Sequence, residues 1–355
     1  LDSLSVGYYG DGALNVTEGG YVVSNTAGVA VMPGSVGAVT VGGGSYDEGE
    51  EGFNFTPSTW QNYSSMFVGG YGVGEMTILD GGLVDINQNL YIGGFDPDFF
   101  GIDVEAIGYD PNGTGTVTVT GEGSTLYGTG LQELYVGYSG DGTLSIEDGG
   151  YVESGVTAIG LLPDSTGAVT VDGVAGDGEG DVSLWENLGS IVVGGYGDGT
   201  LTVSNGGEVY SSELYIGGYD PDSLPFDVGE IDSYPDGTGA VTVTGEGSYF
   251  ETEVLVAGVT GDGTLNVLAG GEVESEAGIV AFGPDSVGNV VVNGDGSTWT
   301  LVDLDEEEEN WSILGVGIYG TGQLTVSNGG QVTVADAVVG GLDLEDLGMP
   351  QDFDL

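Results

Sequence analysis

Two glycine-bearing phrases take turns along the whole chain, and this alternation constrains the fold more than any single motif does. The first phrase recurs six times, as GDGALNVTEGGYV (10–22), GVGEMTILDGGLV (72–84), GDGTLSIEDGGYV (140–152), GDGTLTVSNGGEV (197–209), GDGTLNVLAGGEV (261–273) and GTGQLTVSNGGQV (320–332). Its Gly-Gly pairs begin at 19, 81, 149, 206, 270 and 329, a spacing of 57 to 68 residues. Between the copies falls a second phrase: GAVTVGGGS (37–45), GTVTVTGEGS (115–124), GAVTVDG (167–173), GAVTVTGEGS (239–248) and GNVVVNGDGS (288–297). Each of these follows a Pro-led turn, at Pro33, Pro111, Pro163, Pro235 and Pro284. A short β run ending in or near Gly joins the phrases, with anchors at Val6, Val31, Val68, Ile92, Val136, Ile159, Val193, Ile216, Val256, Val280, Val316 and Val339. Twelve anchors with eleven phrases between them close the count, so each step reads as one coil. Steps across the first phrase take 23 to 25 residues. Those across the second are longer and variable, which confines insertions to one of two coil types.

The local chemistry agrees with that period. Leu201-Thr202-Val203 and Val241-Thr242-Val243-Thr244 alternate apolar and polar, as a strand with one buried face does. Gly-Asp-Gly and Gly-Gly supply the positive φ that sharp corners need, and Pro fixes φ where no backbone donor is used. No stretch carries a helical period. The expected fold is all-β: a single-stranded parallel β-helix (β-solenoid) of about twelve coils running through residues 1–355. Parallel β crossovers are overwhelmingly right-handed, so that hand is expected. Coils stacked at ~4.8 Å give a rod roughly 55–60 Å long.

Composition then narrows the partners. The chain has 57 Asp and Glu against no Lys, Arg, His or Cys. Nucleic acid and anionic membrane surfaces are excluded, because both are bound through Lys and Arg. A mean hydropathy of +0.10 argues against disorder. The chain opens at Leu1 without Met or a basic stretch, as a secreted protein does after signal removal. Along the rod the charge comes to about one per Å, denser than the one per ~1.7 Å of duplex DNA. Equivalent carboxylates on neighbouring coils would repel by roughly 1 kcal/mol per pair even in water. Cations are therefore expected in the fold, and Ca²⁺ suits all-oxygen ligands.

The order V-T-V-x-G-x-G-S-x-W followed by G-x-G-x-L-x-V and G-G resembles the type V secretion (autotransporter) and PEP-CTERM-associated repeat of bacterial surface proteins. Its fullest copy is Val290-Val291-Val292-Asn293-Gly294-Asp295-Gly296-Ser297-Thr298-Trp299, then Gly320-Thr321-Gly322-Gln323-Leu324-Thr325-Val326 and Gly329-Gly330. Other copies keep Trp60 or Trp185 but erode the Gly-x-Gly-Ser. The resemblance implies a β-helical surface or secreted protein and carries over no catalytic residues.

Specific metal sites are expected in the insertions. The Asp-rich segments 95–114 and 219–238 are copies of each other, and 342–355 reads as a partial third. Asp-Pro-Asp opens the first two, giving Asp96, Asp98, Asp220 and Asp222 as candidate Ca²⁺ ligands, with Asp343 and Asp346 in the third. Asp47 to Glu51 and Asp303 to Glu309 read as solvated charge runs. The turn residues Asp11, Asp141, Asp198 and Asp262 resemble those of the calcium-binding G-G-x-G-x-D repeat of secreted toxins. However, Gly194-Gly195-Tyr196-Gly197-Asp198 puts the Asp one place early, so a structural turn is expected. Asn15, Asn54, Asn62, Asn112 and Asn310 stand in N-x-[ST] and are candidate glycan acceptors.

No enzyme is expected. β-Helix lyases use a basic residue that this chain lacks. The hydrolase type needs only a carboxylate pair, but no pair stands apart from the repeat. LDSLSVG at the start and VVGGLDLEDLG at the end lie in phase with the coils and are expected to expose unpaired β edges. A head-to-tail contact of that kind does not close and gives a filament. The expectation is a secreted, Ca²⁺-assisted protomer of an extracellular filament or surface layer. Its alternative is the passenger region of a monomeric adhesin that binds a polysaccharide or host surface.

Overall fold

The computed structural model describes residues 1–49, 52–95, 113–128, 132–173, 181–218, 236–302 and 312–341. Within them the chain is a parallel β-helix with three columns of strands around one apolar core. Column I is an 11-stranded parallel sheet of seven-residue strands, from Asp11–Thr17 to Thr321–Ser327. Columns II and III together form the 20-stranded sheet. Column II runs from Tyr21–Ser24 to Gln331–Thr333, and column III from Ser3–Val6 to Asp336–Val339. In Glu208–Ile216, Tyr249–Ala257 and Glu272–Val280 one nine-residue strand serves both columns.

The predicted coil count is met. Column III holds twelve strands among the described residues, and the two phrases alternate coil by coil in column I. Ten of the twelve anchors occupy one register position, where Val6 pairs Val29, Ile92 pairs Val136 and Val280 pairs Val316. Two need correction: the equivalent residues are Val29, not Val31, and Ala257, not Val256. The corner after each anchor needs a positive φ, which glycine supplies at Gly69 and Gly194. After Val29 that place is taken by Ala30, at φ 57°, so the glycine marker is missing. Val31 lies beyond this corner, in a second apolar cluster on the outside of column III. Stacked rings fill the middle of that cluster, Phe67 on Phe95 at 4.8 Å and Tyr91 on Tyr135 at 4.7 Å.

Why the phrases alternate is visible at the corner between columns I and II. Five of the six Gly-Gly pairs of the first phrase donate a backbone N–H to a serine of the next coil: Gly19 to Ser58, Gly81 to Ser124, Gly149 to Ser183, Gly206 to Ser248 (all 3.1 Å) and Gly270 to Ser297 (3.0 Å). These serines are fully buried, so each phrase satisfies a polar group of the other. Ser58 and Ser183 are the serines of the copies whose Gly-x-Gly-Ser is eroded; insertions separate them from their glycines.

Side-chain size alternates in the same rhythm. At the second position of column II, Trp60, Leu126, Trp185, Phe250 and Trp299 alternate with Val84, Val152, Val209 and Val273, all essentially buried. Large against small is what lets stacked coils interdigitate without voids. The indole N–H groups donate to Ser24 (2.9 Å), Ser154 (2.9 Å) and Ser275 (3.1 Å) of the preceding coil. The segment around Asp47, expected to be a solvated charge run, belongs to an antiparallel hairpin of Gly44–Gly49 and Gly52–Pro57.

Candidate functional site

Outward residues on a β-helix stand in rows along its axis, so the chemistry of a face is the chemistry of its rows. Column I presents Thr, Ser, Asn and a few acids. Its first row reads Asp141, Thr166, Asp198, Thr238, Asp262 in register. The alternation of phrases places a threonine between successive aspartates, so here the expected carboxylate-on-carboxylate stacking does not occur. One adjacent pair, Glu147 and Asp172, lies in the last row. There Asp172 accepts hydrogen bonds from Ser204 and from Asn205 (2.7 Å).

Column II is different. Its third row runs through Gln61, Asp85 and Tyr127, then Glu153 beside Glu186, Tyr210, and Glu251 beside Glu274. Without a cation in the sequence, tyrosine hydroxyls supply the donors. Tyr151 Oη lies 3.1 Å from Glu153 and 2.6 Å from Glu186. Tyr249 Oη repeats this with Glu251 (2.6 Å) and Glu274 (2.8 Å). Tyr210 donates to Glu208 at 3.1 Å. At column III, Tyr135 donates to Glu133 at 2.8 Å, Asn89 adds a bond to the same carboxylate at 2.6 Å, and Ser190 donates to Glu213.

Burial raises these phenols first, and the acceptor carboxylates raise them further. Tyr210 is pushed up to about 12, by burial and then Glu208. Tyr135, Tyr151, Tyr215 and Tyr249 rise further still, again chiefly through burial, with the carboxylates they bond adding to it. Tyr127 is raised by burial, then by Asp85 and Glu153. The phenols therefore stay protonated and remain donors well above neutrality.

At the N-terminal end of the column II face the pattern changes to exposed rings. Tyr21 and Tyr63 both donate to Gln61 Oε1, at 2.5 and 3.0 Å. Gln61 Nε2 donates to Asp85 Oδ2 at 3.2 Å. Tyr21 is 62% and Tyr63 48% exposed, whereas Asp85 is 6% exposed.

All six Ca²⁺ candidates, Asp96, Asp98, Asp220, Asp222, Asp343 and Asp346, lie outside the described residues, as do Asn112 and Asn310. Among the described residues no three acidic side chains converge in metal-binding geometry. Asp164, Asp198 and Asp236 line one open cleft of about 340 Å³ without doing so. Asn15 is exposed in Asp11–Thr17, and Asn54 lies in Gly52–Pro57. Asn62 is corrected as a glycan acceptor. It is fully buried, its amide accepting from Ser24 (2.8 Å) and donating to the carbonyls of Ser64 (2.8 Å) and Ser65 (3.1 Å). The tyrosine–carboxylate pairs are not among the sequence-predicted sites, yet the sequence carries a signal for them. Tyr151 and Glu153, Tyr249 and Glu251, Glu208 and Tyr210, and Glu133 and Tyr135 are all two apart and so share a strand face.

Comparison with known proteins gives two relatives. The chain is 28% identical over 315 residues to the uncharacterized lipoprotein YdeK of Escherichia coli K12, covering 76% of this chain and 22% of that protein. It is 32% identical over 109 residues to the adhesin BmaC autotransporter of Brucella suis biovar 1, covering 29% of this chain and 3% of that adhesin. The chain thus spans about a fifth or less of either relative. No protein-family model matches the chain. No solved structure matches it either.

Proposed function

We propose that this chain is a stretch of a surface-exposed, non-enzymatic β-solenoid whose work is adhesion. The observation that carries this reading is the similarity to an autotransporter adhesin, on a chain whose described residues form one uninterrupted parallel solenoid. The autotransporter and PEP-CTERM-associated repeat reading of the phrases points the same way, and both relatives bear names that fit an envelope or extracellular location. A continuous rod suits the task, because each coil extends it outward and offers another set of solvent-facing rows. Fusing the 355 residues to a heterologous outer-membrane anchor on non-adherent cells, and counting cells retained under flow, tests it. Retention no greater than with the anchor alone would reject adhesion.

A head-to-tail homopolymer is the second reading. It is supported by the last described coil, where Val326 is 45% and Val339 82% exposed and Leu324, Val332 and Val334 are only partly buried. A parallel coil of a second copy fits that edge. Electron microscopy with Ca²⁺ and with chelator decides; short monodisperse rods in both remove the homopolymer. Ca²⁺ enters through the insertions, and a melting temperature unchanged by saturating Ca²⁺ removes it, since an ion bound only to the native state must raise the midpoint.

A further inference from the structure

We propose that the outward face of column II, centred on Tyr21, Gln61 and Tyr63, binds a neutral, hydroxyl-rich polysaccharide laid along the solenoid axis. The proposal rests on the adhesive reading and names the class of ligand it takes. Exposed rings are the first reason. Tyr21 and Tyr63 leave 62% and 48% of their surface in water, so they offer flat apolar faces with a polar rim, the amphipathic shape that suits a half-wet interface. Preorganisation is the second. Both hydroxyls converge on Gln61 Oε1, and the buried Asp85 holds the amide nitrogen, which fixes which end of the amide faces the rings. A platform already locked in place loses little freedom on binding.

Charge is the third reason, and it selects the ligand. Farther along the axis the same face presents Glu153, Glu186, Glu251 and Glu274, which are hydrogen-bond acceptors. No residue of the chain carries a cationic side chain, and the formal charge is −57. A ligand here must bring donors and no negative charge. Sugar hydroxyls do so, while uronic-acid polymers and nucleic acids are repelled. Coils recur at about 4.8 Å, close to the length of one pyranose in an extended chain, so the two acceptors of each adjacent pair, Glu153 with Glu186 and Glu251 with Glu274, are spaced like neighbouring sugars.

Affinity electrophoresis of the whole chain in native gels tests this. The neutral polymers are hydroxyethylcellulose, xyloglucan and galactomannan; alginate and polygalacturonate are the acidic counterparts. The expected result is retardation by at least one neutral polymer and by neither acidic one. Tyr21→Ala with Tyr63→Ala should weaken it about ten-fold or more. Thr202→Ala with Thr242→Ala, on column I, should leave it unchanged. Tyr21→Phe with Tyr63→Phe keeps the rings but frees Gln61, and should fall between. The mutated tyrosines are solvent-exposed, and matching thermal melts confirm that the variants fold. Absence of retardation in all three neutral gels overturns the proposal, as does equal retardation by the acidic polymers. Retardation that survives the double alanine variant overturns the assigned face and leaves adhesion standing. Cell retention that fails while the gel shift persists rejects adhesion instead.

Discussion

Columns I and II solve the same electrostatic problem in opposite ways. Both belong to a chain that has no cationic side chain, and both put acids in rows one coil apart. Column I mostly spaces its acids out, with Thr166 and Thr238 between Asp141, Asp198 and Asp262. Column II allows Glu153 to meet Glu186 and Glu251 to meet Glu274, then sets one tyrosine hydroxyl within hydrogen-bond reach of both carboxylates of each pair. Repulsion is thus avoided on one face and compensated on the other. A compensated face is the one left with organised polar groups and aromatic rings, which is why the polysaccharide site is proposed there.

Column I should prove the more brittle face at its glycines. Gly199 and its ten register partners pack against the corner backbone, and a Cβ at Gly199 would sit 2.2 Å from Gly194 N. Gly199→Ala should cost about 4 kcal/mol or more, read as a large fall in denaturation midpoint or loss of soluble protein. A near-neutral result would mean that the corner can shift.

Alkali should attack column II selectively. Tyr127, Tyr151, Tyr210 and Tyr249 have folded-state pKa values above the unfolded value of about 10, with Tyr210 at about 12. Their contribution is fully present below pH ~10 and is lost as pH rises through the folded values. Stability should therefore hold at neutral pH and drop above pH ~10, with phenolate absorbance appearing together with unfolding. Phenolate appearing at full native ellipticity would show that the hydroxyls are not holding the carboxylates.

At single sites the contrast becomes smaller but sharper. Tyr249→Phe leaves Glu251 and Glu274 adjacent without a shared donor and should cost about 1–2 kcal/mol. Thr242→Val on column I should stay within about 0.5 kcal/mol. Equal effects would erase the difference between the faces. Thr166→Asp makes three aspartates contiguous in column I. Each of the two new pairs should cost roughly 1 kcal/mol at low salt and less at high salt, because exposed charges are screened. An effect insensitive to salt would point to packing instead.

Much of the fold is legible in local sequence pattern. Period-two strands such as Val241-Thr242-Val243 face the core as expected, with both valines buried and Thr242 half-exposed. Anchors followed by glycine, such as Val68 and Val193, fall on the right register. Val31 does not, and there Ala30 takes the left-handed corner without the mark that glycine leaves in a sequence, as Ala281 does after the correctly placed Val280. Asn62 misleads for a related reason. The N-x-[ST] pattern is blind to facing, and one strand position decides whether that amide meets water or the buried Ser24.

Sequence alone determined the coil count, the alternation of two coil types and the absence of any internal cation, since each follows from local spacing and composition. Which tyrosine meets which carboxylate was decided only by stacking. Tyr151 and Glu186 are 35 residues apart along the chain, and they come within 2.6 Å because coils of unequal length close into one register. The same closure brings Tyr21 onto Gln61, 40 residues farther along the chain. Coils of unequal length keep the same rows in register. For that reason the chemistry of a face is a property of the stack and not of any one repeat.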